Sequence, residues 1–214
     1  MDINRIRQVA KTFLYLDIQI DDRFPFIIHH PFFCNPFFFY KTSQYNLTDK
    51  NELGAAQEFL ADEIDKADLI RLFILIQKPY HLLFYKFINV YLDEKEFAKY
   101  LAYVWVNSEN PNQDVNVSLN EVKEWFKKAN KEYLMEEEDY NYYAALPDKI
   151  KIYRGVANNR NPKGISYTDN KETAEWFMNR FGDNGYLIEK EVDKKDIAAY
   201  FNTRCEQELV YIGE

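Results

Sequence analysis

Apolar and polar residues follow two different periods on either side of Leu146-Pro147-Asp148. Before this boundary, apolar residues recur at three- and four-residue steps, which predicts helices. These helical patterns lie within residues 3–20, 48–107 and 118–139. After the boundary, alternation and short apolar runs between turn residues predict strands and one helix. The strands are expected at 150–154, 186–192 and 206–212, the helix at 170–181, a turn at 182–185, and a short helix or turn at 194–200.

The two patterns together predict an α+β fold, with a helical layer packed on a small β core. Residues 1–146 would form the mainly helical N-terminal region, and residues 147–214 the core. Roughly 70 residues bury too little surface to be comfortably stable alone. Packing of the N-terminal region on the core is therefore favoured over an independent domain. Thr168 or Asp169 is expected to cap the helix of the core.

Residues 24–40 interrupt the helical pattern with many aromatic side chains, and their three prolines exclude a regular helix. The segment is either an exposed aromatic patch for a partner or an irregular stretch wrapped into the core, which is the simpler interpretation. His29, His30 and Cys34 can be proposed as metal ligands. No fourth ligand follows at a suitable spacing, so no metal site is expected.

The charge of the chain argues against a general polyanion binder, because its formal net charge is −8. Residues 1–147 carry a net charge of −7 and residues 148–214 a net charge of only −1. An anionic small molecule would therefore not be strongly repelled by the C-terminal part.

Cysteine use and hydropathy predict a cytosolic protein. Cys34 and Cys205 have no motif spacing, and two free thiols in a reducing compartment are favoured over a single disulfide. The N-terminus lacks the charged and then apolar order of a signal peptide. No apolar run reaches the roughly 18 residues that a membrane-spanning helix needs.

Candidate chemistry is concentrated in the C-terminal part. Arg154 ends a core-facing stripe, where a guanidinium needs an anion or a carbonyl partner, and Gly155 lets a ligand approach the backbone. Ser166 and Thr168 would share one face of an extended segment. Glu206 and Glu208 would share another, beside apolar residues, where two carboxylates are costly unless a cation or a polar ligand meets them.

Each of these features taken singly has an ordinary structural explanation. An arginine at a strand end usually forms a surface ion pair, and Ser-x-Thr before a helix is usually a cap. A Glu-x-Glu pair usually lies on a solvated strand edge. Their combination and order are what point to a catalytic site.

In this order the motifs resemble the mono-ADP-ribosyltransferases of the Arg–Ser–Glu class, in particular the phage and bacterial toxin-like members. The matching motifs are Tyr153-Arg154-Gly155, Ser166-Tyr167-Thr168, Glu206-Gln207-Glu208 with the following Leu209-Val210, and the helix at 171–181. The resemblance covers residues 146–214, about a third of the chain.

The resemblance implies that NAD binds, without a metal, in a cleft between two small β-sheets. Arg154 would contact the dinucleotide phosphate and ribose, and Gly155 would offer its backbone to the nicotinamide amide. Ser166, supported by Thr168, would brace Glu208, which hydrogen-bonds the nicotinamide ribose. A ring near the nicotinamide would stack on it, and the candidates are Tyr167, Trp176 and Tyr186.

The resemblance also bears on the acceptor. A glutamate at position 206 goes with an arginine acceptor in this class, and Glu206 would orient or deprotonate that nucleophile. Phe201 and Arg204 occupy the place of the target-recognition loop and would contact the partner. The target would be a macromolecule, with a host protein favoured.

Other functions remain open on the sequence. The same NAD site could serve a nucleic-acid acceptor, which the acidic balance disfavours, or water, which would make the protein an NAD glycohydrolase. A non-catalytic binding module on the same fold is a third alternative. The polar segment 105–118 is either a recognition loop or a plain surface connection.

Overall fold

In the computed structural model, which describes residues 1–40, 42–182 and 184–213, the chain divides into a unit of residues 1–92 and a unit of residues 93–214. The turn predicted at 182–185 includes Asp183, which lies outside the described residues. No helix in the described part of the chain is both long enough and apolar enough to cross a membrane.

Three helices of the first unit begin at aspartate caps. Asp2, Asp49 and Asp68 each accept a hydrogen bond from a backbone N–H in the first turn of the following helix. The elements are α1 (Ile3–Leu14), β1 (Gln19–Ile20), β2 (Ile28–His29), β3 (Phe37–Tyr40), β4 (Ser43–Asn46), α2 (Lys50–Lys66), α3 (Leu69–Leu75) and α4 (His81–Ile88). The apolar faces of these helices are buried together, with Ile6, Ile64 and Leu72 fully enclosed.

The helix predicted over residues 3–20 is too long. It ends at Leu14, and the chain then forms an antiparallel hairpin of β1 and β2. Residues 16–21 alternate apolar and polar side chains, which is the period of a strand rather than of a helix. A second hairpin joins β3 to β4.

The aromatic segment 24–40 combines the two expected arrangements. Phe32 and Phe33 are buried, whereas Phe26 and Phe39 are exposed. His30 is also buried and stacks on Phe33, with the ring centroids 4.8 Å apart.

The described residues contain free thiols and no group of potential metal ligands. Cys34 and Cys205 are free, exposed thiols, as expected. Among the described residues, no three His, Cys, Asp or Glu side chains are grouped to hold a metal ion.

The second unit contains both the large sheet and the four α-helices that precede it in the sequence. These helices are α5 (Glu94–Asn107), α6 (Leu119–Lys128), α7 (Lys131–Leu134) and α8 (Glu137–Ala145). Ser118 and Glu121 form the predicted capping box at the start of α6. Trp105 and Phe126 meet edge to face in the core, 5.3 Å apart between centroids, and α8 packs on the sheet at β8.

The sheet of the second unit consists of five antiparallel strands in the order β7-β5-β6-β9-β8. The strands and the one helix between them are β5 (Lys149–Val156), β6 (Ser166–Thr168), α9 (Lys171–Asn179), β7 (Tyr186–Asp193), β8 (Ile197–Phe201) and β9 (Glu208–Tyr211). In the structure the expected two sheets form one sheet, but its halves β7-β5 and β6-β9-β8 are joined by the single pair Tyr153 and Thr168. Beyond that pair the two halves are not hydrogen-bonded to each other as strands.

Three predicted details of this unit are wrong. Asn170, rather than Thr168 or Asp169, caps α9, because its side chain accepts hydrogen bonds from the N–H groups of the first turn. Of the short helix or turn predicted at 194–200, only Lys194–Asp196 forms a 3-10 helix, while residues 197–201 form a fully buried strand, which lacks the polar alternation of a half-exposed one. The last strand begins at Glu208 instead of 206, because the backbone of Gln207 is left-handed with φ of 50°.

Candidate active site

A cleft in the second unit runs along the sheet where β5 and β6 separate. Its cavity volume is about 190 Å³, or about 1160 Å³ when the open solvent at its mouth is included. Small-molecule sites commonly measure about 300–1,000 Å³, so a ligand of dinucleotide size would fill the cavity and reach into the open mouth. All of the residues predicted from the sequence to catalyse, to bind NAD or to recognise a target line it: Arg154, Gly155, Ser166, Tyr167, Thr168, Phe201, Arg204, Glu206 and Glu208.

The Glu208 carboxylate lies at the start of β9 with two donors beside it. The indole Nε1–H of Trp105 donates to Oε1 over 3.0 Å, and the Ser166 side chain is the second donor that favours the charged carboxylate. Burial raises the pKa of Glu208, and the neighbouring Glu206 raises it further, while the two hydrogen bonds and Arg154 act to lower it. The site thus holds a desolvated carboxylate with donors aimed at it, which is a common state of catalytic acids and bases.

Ser166 and Thr168 lie on β6 directly beside β9. In the register of these strands Ser166 is opposite Val210 and Thr168 is opposite Glu208. The Asn112 side-chain amide donates to Ser166 Oγ over 2.8 Å. The oxygen of Thr168 accepts a bond from the N–H of Asn170, 3.1 Å away, so this hydroxyl also orders the turn into α9.

Arg154 is buried on the same face of β5 as Ile150 and Ile152, as the alternation predicts. The sequence predicts either an anion or a carbonyl as the partner of Arg154, and in the structure its partners are two backbone carbonyls. Nη1 donates to the backbone oxygen of Ser166 over 2.6 Å, and Nη2 to that of Asn161 over 2.9 Å. Its Nε is buried without a hydrogen-bond partner in the described part of the chain, and burial lowers the pKa of the guanidinium.

Gly164 makes room for this guanidinium. A Cβ at position 164 would lie 2.6 Å from Cζ of Arg154 and 2.8 Å from Oδ1 of Asn112. Both distances are too short for non-bonded atoms, so any larger residue at position 164 would displace the Arg154 and Asn112 side chains.

A glycine is needed at position 155 for a packing reason that the sequence does not reveal. The expected role is to let a ligand approach, yet the helix α9 already occupies the space beside it. A Cβ on Gly155 would overlap the backbone oxygen of Ala174 and lie 2.5 Å from the backbone nitrogen of Met178. The residue therefore serves the contact between α9 and β5, while its backbone borders the cleft.

We expect Gly155→Ala to lower the free energy of unfolding by about 1–3 kcal/mol, because backbone atoms cannot move aside as a flexible side chain can. Chemical denaturation measures this. Gly54→Ala is the matched control, since a Cβ at position 54 in α2 meets nothing within 4 Å and is expected to stabilise by about 0.5–1 kcal/mol. Equal stability of the Gly155→Ala variant and the wild type would contradict the packing role.

The segment from β8 to β9 carries Glu206 in a strained turn. Cys205 and Gln207 both have left-handed backbones, with φ of 56° and 50°, which is uncommon for residues other than glycine. Because Gln207 breaks the strand geometry, the alternation used to place Glu206 and Glu208 on one face does not apply at position 206. Both carboxylates line the cleft nevertheless.

The expected target-recognition residues differ in exposure. Phe201 is buried at the end of β8, where it pairs across the strands with Glu208. Arg204 is exposed. Phe201 therefore belongs to the floor of the cleft, and Arg204 is the residue of this pair that a macromolecule can reach.

No family model, curated protein or solved structure matches the chain. A functional assignment therefore rests on the chemistry and geometry of the cleft. The comparisons neither add to nor subtract from the resemblance of the three motifs.

Several cleft residues cannot be found by motif. Trp105 and Asn112 lie in a segment that the sequence predicts to be a loop, and they contact Glu208 and Ser166. Arg160 and Arg180 add two further cations, and both guanidinium groups lie over the ring of Phe181. The asparagine-rich segment after α5 is a sequence signal for Asn112, whereas nothing in the sequence distinguishes Trp105 or the two arginines.

The rings predicted to stack on nicotinamide are distributed differently. Tyr167 lines the cleft but is buried against Tyr211, with centroids 5.5 Å apart. Trp176 and Tyr186 are exposed and do not line it, whereas Phe177 and Phe181 of the α9 region do.

Proposed function

We propose that the protein is an NAD-dependent mono-ADP-ribosyltransferase that acts in the bacterial cytoplasm on a macromolecule, with a protein arginine as the favoured acceptor. The observation that carries this proposal is the convergence of Arg154, Ser166 and Glu208 in one cleft. The backbone oxygen of Ser166 accepts a hydrogen bond from Arg154, and its strand pairs with that of Glu208, whose charged form the Ser166 side chain favours. Three motifs spread over 55 positions thus form one connected group.

The chemistry of the proposed reaction explains the half-buried carboxylate of Glu208. Cleavage of the nicotinamide glycosidic bond builds positive charge on the ribose, as in glycoside hydrolysis. A nearby carboxylate stabilises that charge, and the effect is larger where water is excluded. The two donors from Trp105 and Ser166 favour the ionised form of Glu208 that this role requires.

The charges of the cleft suit the anionic part of NAD. Arg154, Arg160, Arg180 and Arg204 line it, and guanidinium groups match the geometry of phosphate oxygens. The lining carboxylates are Glu109, Glu206 and Glu208. The local balance therefore favours a pyrophosphate, although the whole chain is acidic.

The choice of acceptor rests on Glu206 and on the resemblance. A carboxylate at the cleft edge attracts a cationic guanidinium and can take a proton from it as the new bond forms. A nucleic acid would meet the charge of the whole chain, −8, which disfavours it. Water as the acceptor would make the same site an NAD glycohydrolase.

The proposal is tested by incubating labelled NAD with a bacterial lysate and the wild-type protein, Glu208→Gln or Glu206→Gln. We expect label on discrete protein bands with the wild type and none with Glu208→Gln. Glu206→Gln should lose protein labelling yet still release nicotinamide, because it lacks only the group that prepares the acceptor.

The other functions give different results in the same assay. Label on RNA or DNA would replace the protein acceptor by a nucleic acid, and nicotinamide release without any label would indicate a glycohydrolase. Neither label nor loss of NAD with the wild type would contradict the transferase and favour a binding module.

A further inference from the structure

Two side chains from outside the sheet reach the candidate catalytic residues. Trp105 belongs to the last turn of α5, and Asn112 to the segment between α5 and α6. Trp105 contacts Glu208 across 103 positions of sequence, and Asn112 contacts Ser166 across 54. Neither residue belongs to the three motifs that suggest the reaction.

The orientation of the Asn112 amide follows from its partners. The backbone N–H of Ile165 can only donate, and it lies 2.7 Å from Oδ1 of Asn112. The other end of the amide, Nδ2, must then face Ser166 Oγ, 2.8 Å away, and donate to it. The backbone oxygen of Asn112 accepts a further bond from Asn161, so the residue is held at three points.

The Asn112 bond leaves the Ser166 hydroxyl proton available to a further acceptor. A serine hydroxyl has one proton to donate and accepts with its lone pairs. Because Asn112 donates to the oxygen, the proton is free to turn toward Glu208, whose pKa the Ser166 side chain acts to lower. Asn112 therefore acts on the carboxylate through Ser166.

Trp105 supplies the second donor to the same carboxylate. Its indole is buried, and its ring is held against Phe126. An indole N–H can donate but never accept, so it always favours the charged form of Glu208. A phenylalanine would keep most of the ring packing and lose only this donor.

We propose that Trp105 and Asn112 are positioning residues that hold Glu208 and Ser166 in the arrangement needed for NAD cleavage, an inference that rests on the proposed function. Trp105 acts on the carboxylate directly, and Asn112 acts through Ser166. Helix α5 and the segment after it thereby become part of the catalytic unit.

The inference predicts a change in pH dependence. The charged groups that bear on Glu208 are Arg154 on β5 and Glu206 before β9, and the uncharged donors are Trp105 and Ser166. Loss of the Trp105 donor removes one influence that lowers the pKa of Glu208. The carboxylate then stays protonated to a higher pH, and the acid limb of the activity profile moves to higher pH.

The first test needs no activity. The chain has three tryptophans, so the indole N–H resonance of Trp105 can be assigned by elimination with Trp125→Phe and Trp176→Phe. We expect this resonance to move with pH in the wild type and to stay fixed in Glu208→Gln. A resonance that moves equally in both proteins, or in neither, would overturn the contact on which the inference depends.

The second test uses variants and nicotinamide release from NAD. At pH values below the wild-type optimum, we expect Trp105→Phe to lower kcat about tenfold or more, with KM little changed. At higher pH the kcat of this variant should recover. Asn112→Asp replaces the donor by an acceptor and should act in the same direction, whereas Asn116→Asp, with the same charge change on an exposed residue of the segment, should leave the profile unchanged.

The two tests separate the failure of this inference from the failure of the transferase proposal. Wild-type pH profiles for Trp105→Phe and Asn112→Asp would overturn the positioning role while NAD cleavage stands. If the wild type does not cleave NAD, the resonance of Trp105 still decides whether it reports on Glu208. A uniform loss at all pH values in both variants would indicate structural residues and also overturn the inference.

Discussion

Glu208→Gln is expected to lower the rate of NAD cleavage about a thousandfold or more, because it removes the charge that would stabilise the developing ribose cation. Glutamine keeps the shape of the side chain, and its oxygen can still accept the bond from Trp105. The variant should therefore bind NAD with little change in affinity. Nicotinamide release at saturating NAD measures the effect.

The same variant is expected to be more stable than the wild type at neutral pH. Burial raises the pKa of Glu208 in the folded protein, so the unfolded chain releases this proton more readily, and the stability of the wild type falls as the pH rises through the folded-state pKa. Glutamine does not ionise, so the Glu208→Gln variant avoids the free-energy cost of burying a charge. The melting temperature of the variant should exceed that of the wild type by roughly 2–4 °C for each kcal/mol of this cost.

The sign of this effect gives an internal control. The difference in melting temperature should be fully developed above the folded-state pKa and should vanish below the ordinary pKa of a glutamate, about 4.3, where the wild-type carboxyl is neutral in both states. Glu191→Gln, an exposed residue of β7, should show no such difference. Lower stability of Glu208→Gln at neutral pH would mean that the carboxylate is a structural anchor.

Arg154→Lys is expected to reduce kcat/KM for NAD about a hundredfold and to destabilise the second unit. The guanidinium serves two carbonyls at once, those of Ser166 and Asn161, and a single ammonium cannot reproduce that fork. One buried carbonyl would lose its partner, which costs about 1–3 kcal/mol. Denaturation and nicotinamide-release kinetics at several NAD concentrations measure the two effects.

Arg204→Lys is the matched control for this substitution, because Arg204 lines the same cleft but is exposed. Lysine keeps the positive charge at this exposed position, so the stability and the release of nicotinamide should stay near wild-type values. Its effect, if it contacts the target, should appear only in the labelling of protein. Unchanged NAD kinetics in Arg154→Lys would remove Arg154 from the proposed NAD site.

Local patterns in the sequence predict the parts of the site that depend on neighbouring residues. The alternation in β5 predicts that Arg154 shares a face with Ile150 and Ile152, and all three residues are buried on that face. The Ser-x-Thr segment and the final apolar run pair as adjacent strands, which brings Ser166 and Glu208 together. These features follow from the period of a strand and from short connections.

The remaining parts depend on distant contacts that no local pattern encodes. The donor from Trp105 comes from 103 positions away, and the buried strand β8 has no polar alternation that would distinguish it from a short helix. The start of β9 at Glu208 is not predictable, because a left-handed residue such as Gln207 is rare and an apolar run normally continues as a strand. The packing role of Gly155 is not predictable either, because it depends on the tertiary position of α9.

The central claim is tested most directly by measuring nicotinamide released from NAD by the purified protein, in the presence of a bacterial lysate freed of small molecules. This measurement does not depend on whether the acceptor is a protein, a nucleic acid or water. We predict release that rises with the amount of wild-type protein and is absent with Glu208→Gln. No release above that of the lysate alone, or equal release by both proteins, would contradict the account.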